Sequence, residues 1–205
     1  MESNLLWYDI IKTYSVTSNS RKDNHFDGFY EEAIKYAKEY LGDEFLIEPK
    51  SNITGFFNDK ETDLVFRKND RLVGILETKS VMKSYAKNKN NAFENMIGYI
   101  VNVKLNNIKI MWSIFQPYKI PKEKNGNIQY DIVSNEDIEK YNRLYECQDE
   151  KYKPDNLSLN IFGEYDVENK KLYNIPDNIF NQKSIDILLK LDFSRQFDLF
   201  LESLK

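Results

Sequence analysis

The sequence predicts an α/β domain, mixed in the α+β sense, with a central mixed sheet flanked by helices. Three observations carry this. Apolar residues recur at helical spacing from Phe26 to Leu41 and again from Asn90 to Lys104. Between those segments lie short runs rich in β-branched and aromatic residues, separated by polar turns. After them, NIKIMWSIF at 107–115 reads as a buried strand. A chain of 205 residues holds one domain with a proper core but not two comfortable ones, so 1–205 is read as a single unit.

Taken in order, a short amphipathic N-terminal segment is followed by the polar loop TSNSRKDN at 17–24. The first helix carries Phe26, Phe29, Tyr30, Ala33, Ile34, Ala37, Tyr40 and Leu41, with Asp27 as its expected N-cap and Gly42 as its stop. FLIEP, SNITGFF, TDLVFRK and RLVGILETKSV follow as consecutive strands, the last two as a hairpin. Phe93, Met96, Ile97, Ile100 and Val101 define the helix over 90–104, and Trp112 is a core aromatic of the next strand. In the final third, IQYDIV predicts a strand, and Ser134 and Asp137 a capping box for a helix through Tyr145. EYDVENKKLY suggests a polar hairpin. SIDILLKLDFSRQFDLFLESLK then reads as one C-terminal helix whose apolar stripe serves the core first and a dimer contact second.

Composition narrows the chemistry. One cysteine, Cys147, and one histidine, His25, exclude a disulfide framework, Cys-rich clusters and a His-based metal site, so any metal must be held by carboxylates. The first residues lack the positive charge of a signal peptide, and no apolar run approaches the roughly 20 residues of a membrane span, so a cytoplasmic protein without membrane contact is expected. A net charge of −4 argues against general polyanion binding. Yet KSVMKSYAKNKNN, from Lys79 to Asn91, contains lysines and no acid, so a local basic face can exist in an acidic whole.

Asp63, Glu77 and Lys79 have the composition of a hydrolytic metal site: two carboxylates for a divalent cation and a lysine beside the attacking water. An acid, any residue and a lysine also occur at Glu48/Lys50, Asp149/Lys151 and Glu168/Lys170, so geometry must separate them. A three-residue hairpin loop of Asn69, Asp70 and Arg71 sets Lys68 against Leu72 and, counting outward, Asp63 against Glu77. Period-two alternation puts Lys79 on the face of Glu77. Pro49 disfavours a central strand at the first competitor, and the other two lie in polar sequence. Ordinary charged strand ends have the same composition, so the residues alone leave both readings open.

FDGF at 26–29, ITGFFNDKETDLVF at 53–66, NDRLVGILETKSV at 69–81 and NNAFENMIG at 90–98 resemble, in order and spacing, the XhoI-type type II restriction endonucleases of the PD-(D/E)xK class. The resemblance covers about 26–104. It departs between Ser80 and Asn90, which is Lys-rich instead of Gly-rich, and nothing after about residue 115 takes part.

The resemblance implies a restriction-endonuclease-like core over about 26–115, with 116–205 supplying recognition and a C-terminal helix. Asp63, Glu77 and Lys79 are the implied catalytic residues, and Asp63, Glu77 and the carbonyl of Thr78 the ligands of Mg²⁺. Ser80, Lys83, Lys87, Lys89, Asn90, Asn91 and Asn95 are the candidates for DNA contact. Double-stranded DNA is the implied substrate, cut at a specific and palindromic sequence by a homodimer, with a companion DNA methyltransferase in the same system. A phage or repair nuclease with structural specificity and a non-catalytic DNA-binding module are the alternatives. Asp27 is either a third metal-site acid or the N-cap, the cap being the simpler role.

Overall fold

The computed structural model describes residues 26–81, 84–124, 127–163, 165–166, 171–172 and 175–205. The N-terminal segment, the 17–24 loop, His25, Lys83 and the Glu168/Lys170 pair lie outside the described residues.

A five-stranded mixed sheet forms the centre. Helix α1 (Asp27–Leu41) leads into β1 (Phe45–Ile53), β2 (Lys60–Lys68) and β3 (Arg71–Lys79), an antiparallel meander. Helix α2 (Tyr85–Lys104) crosses over to β4 (Lys109–Pro117), which pairs parallel with β3. A small hairpin, β5 (Lys119–Lys124) with β6 (Asn127–Ile132), precedes α3 (Asn135–Tyr145) and β7 (Asn156–Phe162), which pairs parallel with β4. A two-residue pairing of β8 (Tyr165–Asp166) with β9 (Lys171–Leu172) leads to α4 (Gln182–Lys190) and α5 (Phe193–Leu204).

The sheet separates two cores, as period-two alternation requires. Leu64, Phe66, Leu76, Met111 and Phe115 meet α1 and α5, whereas Val65, Ile75, Ile110, Trp112 and Ile114 belong to the core containing Met96, Ile100 and Val103 of α2. Apolar residues on both faces of β2, β3 and β4 therefore mark the sheet's interior strands. Gly74 lets α5 approach β3, because a Cβ there would lie 2.7 Å from Leu204 Cδ2 and 3.0 Å from Phe200 Cζ.

Several expected elements differ. Phe26, not Asp27, occupies the N-cap position of α1; Asp27 lies in the first helical turn and pairs with Lys50 at 3.1 Å. FLIEP and SNI form the single strand β1, carried past Pro49 on the sheet edge through Lys50 at positive φ, while GFF leaves the sheet as a loop. Helix α2 begins at Tyr85 instead of Asn90: the buried Tyr85 ring anchors a first turn whose polar residues hid the helical period. The C-terminal stripe is two helices, because Asp192 stops the first and caps the second, accepting from Ser194 N at 2.9 Å. Ser134 and Asp137 form the expected capping box.

The β2–β3 turn holds Asn69 and Asp70, both at positive φ, as a two-residue loop that pairs Lys68 with Arg71, not with Leu72. The register then shifts between Phe66 and Arg67, and Phe66 faces Gly74, Val65 faces Ile75 and Leu64 faces Leu76. This bulge cancels the one-residue difference in the turn. Regular pairing stops at Leu64 and Leu76, one residue short of the predicted pairing of Asp63 with Glu77.

Candidate active site

Regular pairing of β2 with β3 ends at Leu64 and Leu76, and beyond it the side chains at the strand ends cross. Asp63 Oδ2 accepts from Thr78 N at 2.7 Å and from Thr78 Oγ1 at 2.8 Å. Glu77 Oε2 accepts from Thr62 Oγ1 at 3.2 Å and Asp63 N at 3.3 Å, while Glu77 Oε1 pairs with Lys79 Nζ at 2.6 Å. The expected common projection of Asp63 and Glu77 is not realised: Glu77 takes Thr62 and lines the cleft beside α2, whereas Asp63 takes Thr78, whose hydroxyl is bonded to Tyr30 of α1, and the two meet through the Asp63 amide.

The electrostatics follow from this packing. Glu77 is only 3% exposed, and burial, followed by the charge of Asp63, pushes its carboxyl up to about 7 against the opposing pull of Lys79. Burial disfavours the Lys79 ammonium, but Glu77 outweighs it and holds Lys79 above its usual range. The ion pair favours charge on both partners; at Glu77 it is outweighed. Burial, followed by Asp63, raises the Tyr30 phenol, which remains a neutral hydrogen-bonding group.

Glu77 and Lys79 line an open cleft of about 670 Å³ between the sheet end and α2. Ser80 and Asn95 line it too, so two of the expected DNA-contact residues stand in the same cleft as Glu77 and Lys79. Lys87 and Asn91 are exposed on α2, outside the cleft lining. Lys89 is turned away, its ammonium 2.6 Å from Asp137 of α3. Asn90 accepts from Lys140 at 3.3 Å. The competing Glu48 and Lys50 are engaged elsewhere, by Arg67 and Asp27, and Asp149 caps the turn at Lys151.

Sequence reasoning missed several residues of this region. Thr62 supplies the hydroxyl to Glu77. Buried Gln116 accepts from Val81 N at 2.9 Å and donates to Val81 O at 2.7 Å, fixing the chain just after Lys79. The Tyr99 hydroxyl sits under the influence of Glu77 and Thr62, yet it is buried with no hydrogen bond among the described residues. One signal was available: Asn95, Tyr99 and Asn102 follow i, i+4, i+7 spacing, a polar stripe on α2 that all faces the cleft.

The donor set suits a hard divalent cation. Asp63 and Glu77 offer carboxylate oxygens whose mutual repulsion a cation would relieve. A strand residue sends its N–H and C=O to the same side, so the Thr78 carbonyl, like the N–H bonded to Asp63, points toward β2 where the ladder has ended. Among the described residues, no cluster of three or more His, Cys, Asp or Glu side chains adds to this pair.

No family model matches the chain, and comparison with curated proteins and with solved structures finds no match. Among the described residues, no helix is long and apolar enough to cross a membrane.

Proposed function

We propose that this chain is a Mg²⁺-dependent DNA endonuclease of the PD-(D/E)xK class, acting as a type II restriction enzyme on a palindromic duplex sequence. The observation that carries the reading is the convergence of Asp63, Glu77 and Lys79 at the ends of two central strands, where Glu77 and Lys79 line an open cleft and the Asp63 amide is bonded to Glu77. The resemblance over 26–104 supports the same assignment.

In this reading Asp63, Glu77 and the Thr78 carbonyl hold Mg²⁺. When bound, the ion polarises the scissile phosphate and offsets the charge that develops on it. Lys79 keeps its proton at neutral pH, since Glu77 holds it cationic, and it orients the attacking water as a donor beside the phosphate. Thr78 and Tyr30 fix the Asp63 carboxylate, and Gln116 fixes the strand exit, so the groups are positioned before substrate arrives. Ser80 and Asn95 contact the DNA from within the cleft. A homodimer matches the twofold symmetry of a palindrome.

Incubating the purified protein with phage DNA and Mg²⁺, then sequencing the fragment ends, tests this reading. Discrete fragments sharing one sequence at their ends are expected. Ends without a common sequence indicate structural specificity, and no cleavage with any divalent ion overturns the assignment.

A further inference from the structure

The loop between β1 and β2 presents Phe56 and Phe57 to solvent at 58% and 71% exposure. Phe57 lines the cleft with Glu77 and Lys79. The rings stand edge to face, 5.0 Å apart at 81°, so one buttresses the other.

This loop is built to hold its shape. Asn102, 3% exposed on α2, accepts from Phe57 N at 2.7 Å and Asn58 N at 3.4 Å and donates to Asn58 O at 2.9 Å. The backbone adds a bond from Phe56 N to Asn102 O at 2.9 Å, and Asn106 donates to Thr54 O at 2.9 Å. Gly55 is required there, because a Cβ would lie 2.1 Å from Asn102 Nδ2 and 2.4 Å from Asn58 O. A buried amide thus fixes two large apolar rings outside the core, where water gains nothing from them.

The geometry points to a nucleobase as the partner of these rings: Phe57, backed by Phe56, stacks on a base unstacked at the step beside the scissile phosphate. Lys60 and Lys79 line the same cleft beside Glu61, Glu77 and Glu94, so two ammonium groups are available there to a phosphodiester that follows a flat aromatic surface. Nucleic acid has both within one nucleotide, and aromatic stacking accepts any base because every base has a π-face. The inference rests on the nuclease reading and adds that the substrate is opened locally at the cut.

The test uses the full chain and a duplex with 2-aminopurine at the cut step identified by end sequencing, with Ca²⁺ replacing Mg²⁺ to hold the uncut complex. Fluorescence should rise with the wild type and stay flat with Phe57→Ala. That variant should cut paired DNA about ten- to a hundredfold more slowly, the size of one lost base–aromatic stack. It should recover on a substrate with a mismatch at that step, where unstacking has already occurred. Equal cutting of paired DNA by wild type and variant overturns the stacking role while leaving the nuclease intact. A variant that loses self-association with its fluorescence response unchanged assigns the rings to a second copy of the chain and also overturns it. Wild-type protein that neither binds nor cuts DNA removes the nuclease reading and this inference together.

Discussion

Asp63 is held by Thr78, not by Glu77: both hydrogen bonds to its Oδ2 come from the Thr78 amide and hydroxyl. Glu77 in turn draws on Thr62 and the Asp63 amide. Each carboxylate is tied to the backbone of the other's strand, so the two negative groups are kept close despite their repulsion.

Lys79→Ala should abolish cleavage and leave melting temperature and duplex binding close to wild type, because the side chain is half exposed and ends at the cleft. Lys50→Ala, which breaks only the exposed pair with Asp27, should cut at the normal rate. Cleavage assays on both variants check this, and an active Lys79→Ala protein removes the lysine from the mechanism.

Without metal, the protein should lose stability as pH rises from the ordinary carboxylate range toward neutrality. Glu77 is held above its unfolded value, so the unfolded chain ionises first and the native state binds more protons across that window; stability therefore falls with pH there. The effect should be about 3 kcal/mol at most. Urea unfolding in chelator from acid to neutral pH should show a steeper decline for wild type than for Glu77→Gln.

Asp63→Asn should melt at or above wild type in chelator, since it removes one charge beside Glu77 and retains an acceptor for Thr78. Wild type should gain melting temperature with Mg²⁺ as ligand binding to the native state requires, and the variant should gain less and fail to cut. Thermal melts across a Mg²⁺ series would refute the site if both proteins responded alike.

Lys87 and Lys89 should separate cleanly. Lys87 is exposed, so Lys87→Ala should lower the slope of log affinity against log salt by about 1 with little change in stability. Asp137 is buried, caps α3 and holds Lys89. Asp137→Ala should therefore cost about 1–3 kcal/mol, because the Ser134 amide loses its capping-box partner and Lys89 its counter-charge while the Ser134 cap itself remains. Salt titrations of binding and chemical denaturation read the two effects.

Gly55→Ala should slow cleavage more than it destabilises the fold, because the clash with Asn102 and Asn58 displaces the loop carrying Phe56 and Phe57. Denaturation together with single-turnover cutting distinguishes a moved loop from a general loss of structure.

The sequence was most legible where apolar alternation is unbroken. Leu64, Val65, Phe66, Ile75 and Leu76, all fully buried, announced two interior strands, and Ser134 with Asp137 announced a helix start. Strand β7 was hidden because Ser158 and Asn160, polar in sequence, are buried: Ser158 bonds to Ser113 at 2.6 Å, and Asn160 accepts from Phe193 N at 3.0 Å. Hydrophobic patterning cannot register a strand whose inward residues are polar and satisfied only by distant partners. The same limit applies to Thr62, Tyr99 and Gln116, whose roles depend on contacts from 15 to 35 residues away in the chain or on α2 packing. The break at Asp192 was obscured by an apolar stripe continuing on both sides of it.

The register shift at Phe66/Arg67 also makes the hairpin act like a vernier. One residue of slack next to the turn lets the loop change length by one unit while the far ends of both strands keep their phase. Deleting Val73, the residue this slack accommodates, should collapse the bulge without disturbing the far ends, whereas deleting Ile75, beyond the slack, should pull β3 along by one position. In the second case Thr78 would stand where Glu77 does and every downstream side chain would change sides. The alignment of Asp63 with Glu77 is thus insulated from the turn by a single unpaired residue, and the tip of this hairpin is free to vary in sequence and length without retuning the chemistry some six residues away.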